Sequence, residues 1–127
     1  MGKQRIVIAD DCREVREGLS GLLIDIGFEV DCVPDGRELV QVVSGGNYKG
    51  VITDINMPVI DGLEATEQLR EQRYRGVIIV YSMDNEIELV KAAKRAGADD
   101  YFYKGDDSDI LIEMLREHLC KKQKIKS

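Results

Sequence analysis

Short apolar runs separated by longer amphipathic ones constrain this chain more than any other feature. "RIVIA" 5–9, "EVDCV" 29–33, "GVIT" 50–53, "GVIIVYS" 76–82 and "DYFY" 100–103 are rich in β-branched and aromatic residues and read as five strands. Between them the period lengthens: Val15, Leu19, Leu22, Leu23 and Ile26 line one face of a helix over 12–26. Leu39, Val42 and Val43 repeat the spacing, as do Leu63, Thr66, Leu69 and Arg70, then Ile87, Val90, Lys91 and Ala93, and finally Ile110, Leu111, Met114, Leu115 and Leu119. Strict strand–helix alternation with almost continuously apolar central strands implies a parallel sheet covered on both faces and joined by right-handed crossovers. In such sheets the working groups lie beyond the carboxyl ends of the strands, at a topological switch point.

The length of 127 residues suits one compact domain, expected over 1–120 with 121–127 as a basic tail or the start of a linker. Hydrophobic residues at 43% and charged residues at 33%, with two prolines, are the composition of a folded globular chain. A net charge of −6 argues against nucleic acid as a ligand of the folded body, and "KKQKIKS" is expected to be solvated. Cys12, Cys32 and Cys120 are far apart with no CxxC, and His118 is the single histidine, expected at the surface, so no zinc site is implied and a reduced, cytoplasmic setting is expected. No window approaches the ~20 apolar residues of a membrane span, and no signal-peptide pattern opens the chain.

The strand ends gather the candidate site. The first strand runs into Asp10-Asp11, the third into Asp54, the fourth into Ser82 and the fifth into Lys104. Singly, each has an ordinary explanation: Asp10 or Asp11 could cap the next helix with Glu14 completing a capping box, Asp54 could close its own turn, Ser82 could be a strand-end hydroxyl, and Lys104 a surface lysine. Together, three carboxylates at one sheet edge repel by on the order of 4 kcal/mol per pair at ~4 Å and an effective dielectric near 20. One divalent cation and the Lys104 ammonium would balance them, and all-oxygen ligands point to Mg²⁺. A carboxylate flanked by Mg²⁺, a lysine and a hydroxyl has the parts for phosphoryl transfer, with Asp54 as nucleophile.

"IVIADD", "DINMPVIDGLE", "VYS" and "GADDYFYK", in that order, resemble the motifs of receiver domains of bacterial two-component response regulators, of the chemotaxis-regulator type, over about residues 4–120. The resemblance implies a flavodoxin-like doubly wound (βα)5 three-layer sandwich with strand order 2-1-3-4-5. It implies Asp54 as phosphoacceptor; Mg²⁺ held by Asp11, Asp54 and the Asn56 backbone carbonyl, with Asp10 acting through a water; and Lys104 and Ser82 on the phosphoryl oxygens. Tyr101 would turn inward as Ser82 moves, although Tyr103 shares its face by strand parity. The implied partners are a sensor histidine kinase or phosphotransfer protein, and a downstream protein target or fused output domain. No nucleic acid or membrane would be bound by the domain, which is expected to be a monomer or a weak phosphorylation-linked homodimer. Its only catalysis would be its own phosphotransfer and slow autodephosphorylation.

Pro58 and Gly62 are expected to stiffen the loop after Asp54, Gly62 through a backbone conformation other residues avoid. Two positions depart from the family pattern. Gly105 replaces the usual proline after Lys104, so a trans bond and a more flexible turn are expected, and Met83 replaces a small residue at the mouth of the site. Three rival readings exist: a phosphohydrolase with an aspartate nucleophile, whose DxD after the first strand is here DDC; a nucleotide or flavin binder, for which no phosphate-cradling GxGxxG is present; and a receiver that docks without being phosphorylated.

Overall fold

In the computed structural model, which describes residues 2–126, five strands alternate with five helices: β1 (Arg5–Ala9), α1 (Arg13–Asp25), β2 (Glu29–Val33), α2 (Gly36–Gly45), β3 (Gly50–Asp54), α3 (Gly62–Glu71), β4 (Val77–Ser82), α4 (Ile87–Ala96), β5 (Asp100–Tyr103) and α5 (Ser108–Lys126). The sheet is parallel throughout, in the order β2-β1-β3-β4-β5. This is the flavodoxin-like fold, and every strand agrees with its apolar run to within a residue.

Strand alternation divides the core in two. Val7, Ala9, Val51, Ile78 and Val80 pack under α2, α3 and α4 with Leu39, Val43, Ala65, Leu69 and Ala93. Ile6, Ile8, Ile52, Ile79, Tyr81 and Phe102 face α1 and α5, meeting Leu19, Leu23, Leu111, Leu115 and Leu119. All of β3 and β4 is buried, which is why these strands read as continuous apolar runs rather than alternating ones.

The helical periods mark core faces wider than those actually covered. Leu22, Ile26, Ile87 and Ile110 are exposed, because each helix lies tangentially on a twisted sheet and only its central stripe reaches the strands. Caps differ as well. The N-cap of α1 is Cys12, without a side-chain cap, and Asp10 Oδ1 accepts from the Cys12 N–H at 2.8 Å; no capping box with Glu14 forms. Asp35 and Asp61 do cap α2 and α3, accepting from the Glu38 and Glu64 N–H groups at 2.8 Å. Of the segment expected as a basic tail, residues 121–126 continue α5 and 127 lies outside the described residues; Lys122 Nζ lies 3.3 Å from Asp99 Oδ1.

Glycine at 62 has a different reason from the one expected. Gly27 and Gly97 adopt positive φ and Gly62 does not; instead, a Cβ at Gly62 would lie 1.8 Å from the Asp54 carbonyl oxygen. The left-handed residue of this loop is Val59, at φ 73°, a costly conformation for a β-branched side chain. The Gly62 N–H donates to the Ile55 carbonyl at 2.8 Å, so α3 starts against the end of β3. Gly62→Ala must push backbone away from Asp54, and it should lower stability by on the order of 3 kcal/mol; a urea midpoint close to wild type would show that the contact yields easily.

Candidate functional site

Asp10, Asp54, Tyr81 and Lys104 stand in one row because of register. Asp54 pairs with Tyr81 across β3 and β4, Ala9 pairs with Thr53, and Tyr81 pairs with Phe102, so by alternation Asp10, Asp54, Tyr81 and Lys104 follow Ile8, Ile52, Ile79 and Phe102 on the α1/α5 face. Asp11 is exposed, Asp10 and Asp54 are buried, and one carboxylate oxygen from each lies within 4.8 Å of the others. Three such oxygens match the hard-ligand preference of Mg²⁺.

Lys104 supplies the opposing charge. Its Nζ lies 3.0 Å from Asp10 Oδ2 and 3.2 Å from Asp54 Oδ2, 4.4 Å from the centre of the Tyr81 ring. Burial works against the ammonium, yet the hydrogen bond to Asp10 and the charges of Asp54 and Asp10 outweigh it and raise the Lys104 pKa. Burial pushes the Asp54 carboxyl up; Lys104 opposes this, and the neighbouring Asp10 charge adds to it. Asp54 Oδ1 accepts from the Ile55 N–H at 2.8 Å.

Beside Asp54 an open cleft of about 330 Å³ is lined by Asn56, Ser82, Met83, Asp84, Asn85 and Lys104. The Ser82 hydroxyl is buried and accepts from the Asp84 N–H at 3.1 Å. The Tyr101 hydroxyl donates to the Asp84 carbonyl, so the β4–α4 loop is tied both to Ser82 and to Tyr101. Strand parity left Tyr101 and Tyr103 equivalent; the tertiary contacts separate them, because the Tyr103 ring lies over Gly105 instead. No peptide is cis among the described residues, Lys104–Gly105 included, and the following turn is closed by the Asp106 N–H donating to Tyr103 O at 2.9 Å. Met83 is 67% exposed at the mouth. His118 is away from the site and, unlike a free surface histidine, is largely covered, with Nε2 2.9 Å from Asp100 Oδ2.

Sequence reasoning missed Tyr81, whose hydroxyl donates to Asp10 Oδ2 at 2.6 Å, and Arg16, which donates to the Asp10 carbonyl at 2.7 Å. A hydroxyl-bearing ring near the end of an otherwise aliphatic central strand was the available signal for Tyr81. Nothing in the helical pattern of α1 marks Arg16.

A doubly wound α/β domain with an acidic cluster and a lysine at the carboxyl edge of its sheet is the class that fold and site define. Within it, residues 6–116 match the family model described as response regulator receiver domain, and the chain belongs to that family. It is 35% identical over 112 residues to the transcriptional regulatory protein TcrA of Mycobacterium tuberculosis, covering 88% of this chain and 44% of that protein. The chain thus spans about half the length of these curated relatives. The response regulator TrrA of Thermotoga maritima, solved in complex with Mg²⁺ and beryllium fluoride, superposes with a TM-score of 0.82 at 32% identity, covering 90% of this chain and 97% of that one. A CheY-like receiver domain from Methanospirillum hungatei shares the fold with a TM-score of 0.91 at 24% identity, over 97% of this chain and 98% of that one. Receiver domains are signalling switches that bind Mg²⁺ and work with histidine kinases or phosphotransfer proteins and with output domains. No described helix is long and apolar enough to cross a membrane.

The raised Asp54 pKa carries a sign. Above its folded value the carboxylate is charged in both states and its burial costs stability; below the unfolded value, about 3.9, it is protonated in both and the cost is absent. Metal-free Asp54→Asn should therefore melt a few °C above wild type at neutral pH, the size of shift that about 1 kcal/mol produces in a domain of this length. The difference should shrink as pH falls through the Asp54 titration and also as Mg²⁺ stabilises wild type; calorimetric scans over pH check both.

Proposed function

We propose that this domain is a Mg²⁺-dependent phosphoacceptor switch in which Asp54 takes a phosphoryl group from a phosphohistidine of a sensor kinase or phosphotransfer protein. An Asp54 carboxylate oxygen attacks phosphorus, the P–N bond breaks, and the imidazole departs with the bonding pair. The observation that carries this reading is the Lys104 ammonium held between Asp10 and Asp54, at 3.0 and 3.2 Å, beside an open cleft. Asp11, Asp54, the Asn56 backbone carbonyl and, through a water, Asp10 would hold Mg²⁺, which when bound neutralises charge on the equatorial oxygens. Lys104 and the Ser82 hydroxyl take the remaining phosphoryl oxygens.

Phosphorylation adds about −1.5 to −2 charge. To reach it, the Ser82 hydroxyl leaves the Asp84 N–H, and the β4–α4 loop shifts with it; Tyr101, tied to the same Asp84, follows. The altered face then selects a downstream protein target or a fused output domain, in the monomer or in a weak phosphorylation-linked homodimer. The domain itself binds neither nucleic acid nor membrane and acts in the cytoplasm. On this reading residues 1–120 are the receiver and 121–127 a basic tail or the start of a linker, of which 121–126 continue α5.

Incubation with acetyl phosphate and Mg²⁺ should raise the intact mass by one phosphoryl group. The gain should vanish without Mg²⁺ and in Asp54→Asn, and fall at least tenfold in rate in Lys104→Ala, the scale of a lost charge-stabilising contact. No gain under any condition would leave a docking-only receiver.

A further inference from the structure

Tyr81 is a buried polar side chain at the site that the proposed reaction leaves idle. It is 3% exposed, stands opposite Asp54 in the β3–β4 register, and places its ring beneath the Lys104 ammonium. Asp10 Oδ2 accepts from both the Tyr81 hydroxyl, at 2.6 Å, and Lys104 Nζ, at 3.0 Å. Oδ1 accepts from the Cys12 N–H at 2.8 Å. A carboxylate oxygen has two acceptor sites, so Oδ2 is saturated, and the remaining lone pair of Asp10 is on Oδ1.

We propose that Tyr81 is a positioning residue of the site: its hydroxyl shares Asp10 Oδ2 with Lys104, and that share lets Lys104 turn to a phosphoryl group on Asp54 without stranding a buried carboxylate. The assignment of Lys104 rests on the phosphoacceptor reading; the Tyr81–Asp10 contact does not. When Lys104 moves toward new negative charge, Asp10 Oδ2 loses one of two donors and keeps the other. A buried carboxylate oxygen with no donor would oppose the movement.

Removing the hydroxyl has two consequences of opposite sign. Asp10 carries more uncompensated charge, which attracts a divalent cation more strongly. Lys104 becomes the remaining donor to Oδ2 and is held back from a phosphoryl group on Asp54.

The test is Tyr81→Phe, which keeps the ring under Lys104 and deletes the donor. Titration calorimetry should show Mg²⁺ binding several-fold tighter, while the rate of phosphorylation by acetyl phosphate at saturating Mg²⁺ falls about tenfold, the scale of a lost hydrogen bond to a charged group. In an Asp10→Asn background, Tyr81→Phe should change neither quantity, since the two residues act as one unit. Unchanged affinity and rate, or both weakened together, would overturn the proposal and leave Tyr81 as packing. If wild type takes no phosphoryl group, the phosphoacceptor reading fails, and the Mg²⁺ affinity shift still tests the contact. Should the variant not fold, Mg²⁺ titration of wild type with ¹³C-labelled tyrosine rings reads the same link: the Tyr81 Cζ resonance moves as Asp10 is drawn on, and a resonance that stays fixed overturns it.

Discussion

The ammonium of Lys104 makes the carboxyl edge of this sheet possible. Two buried carboxylates and a third beside them would repel strongly in a poorly solvated site, and Lys104 lies within 3.2 Å of both buried ones. The arrangement remains only partly compensated. Asp54 is still raised in pKa by burial, against the pull of Lys104, so the site retains an unmet demand for positive charge. That residual demand suits the proposed Mg²⁺ site, since a fully neutralised cluster would attract no cation.

Such a cluster needs a scaffold that does not relax around it. The opposite end of the sheet is clamped by Arg70, which donates to the carbonyls of Gly97, Tyr74 and Gly76 and to Asp99 Oδ2 at 2.8–2.9 Å. Asp99 in turn accepts from the Ile78 N–H at 2.9 Å and pairs with Lys122. The guanidinium fork thus joins the end of α3, the start of β4 and the α4–β5 turn in one planar network, a role a lysine could not fill. At the other end lies the β4–α4 loop. There Asp84 is the shared partner of Ser82 and Tyr101, which gives the proposed switch a short mechanical path.

The β3–α3 loop serves the same purpose by different means. Asp61 caps α3, the Gly62 N–H bonds back to Ile55, and the absence of a side chain at Gly62 lets the helix start against the Asp54 carbonyl. Asp54 is therefore held by its own backbone neighbours as well as by the sheet. Only its side chain faces the cleft.

Fold class was legible in the chain because β-branched runs and helical periods are local properties, and alternation of the two leaves a parallel doubly wound sheet as the way to cover both faces. The polar residues at the strand ends could be read the same way, since each follows its strand directly in sequence. Tyr81, Arg16 and the separate roles of Tyr101 and Tyr103 could not: they depend on which strand neighbours which, and on where a hydroxyl six bonds from the backbone finds its acceptor. The covered stripe of each helix and the pairing of His118 with Asp100 likewise arise from packing between separate elements, and the reason for Gly62 from the close approach of α3 to the end of β3. Sequence by itself determined the alternation of elements and the inventory of charges at one edge of the sheet. Only the tertiary structure decided which acid Lys104 shares with Tyr81, because hydrogen bonds are directional and short, and register alone brings their partners within reach.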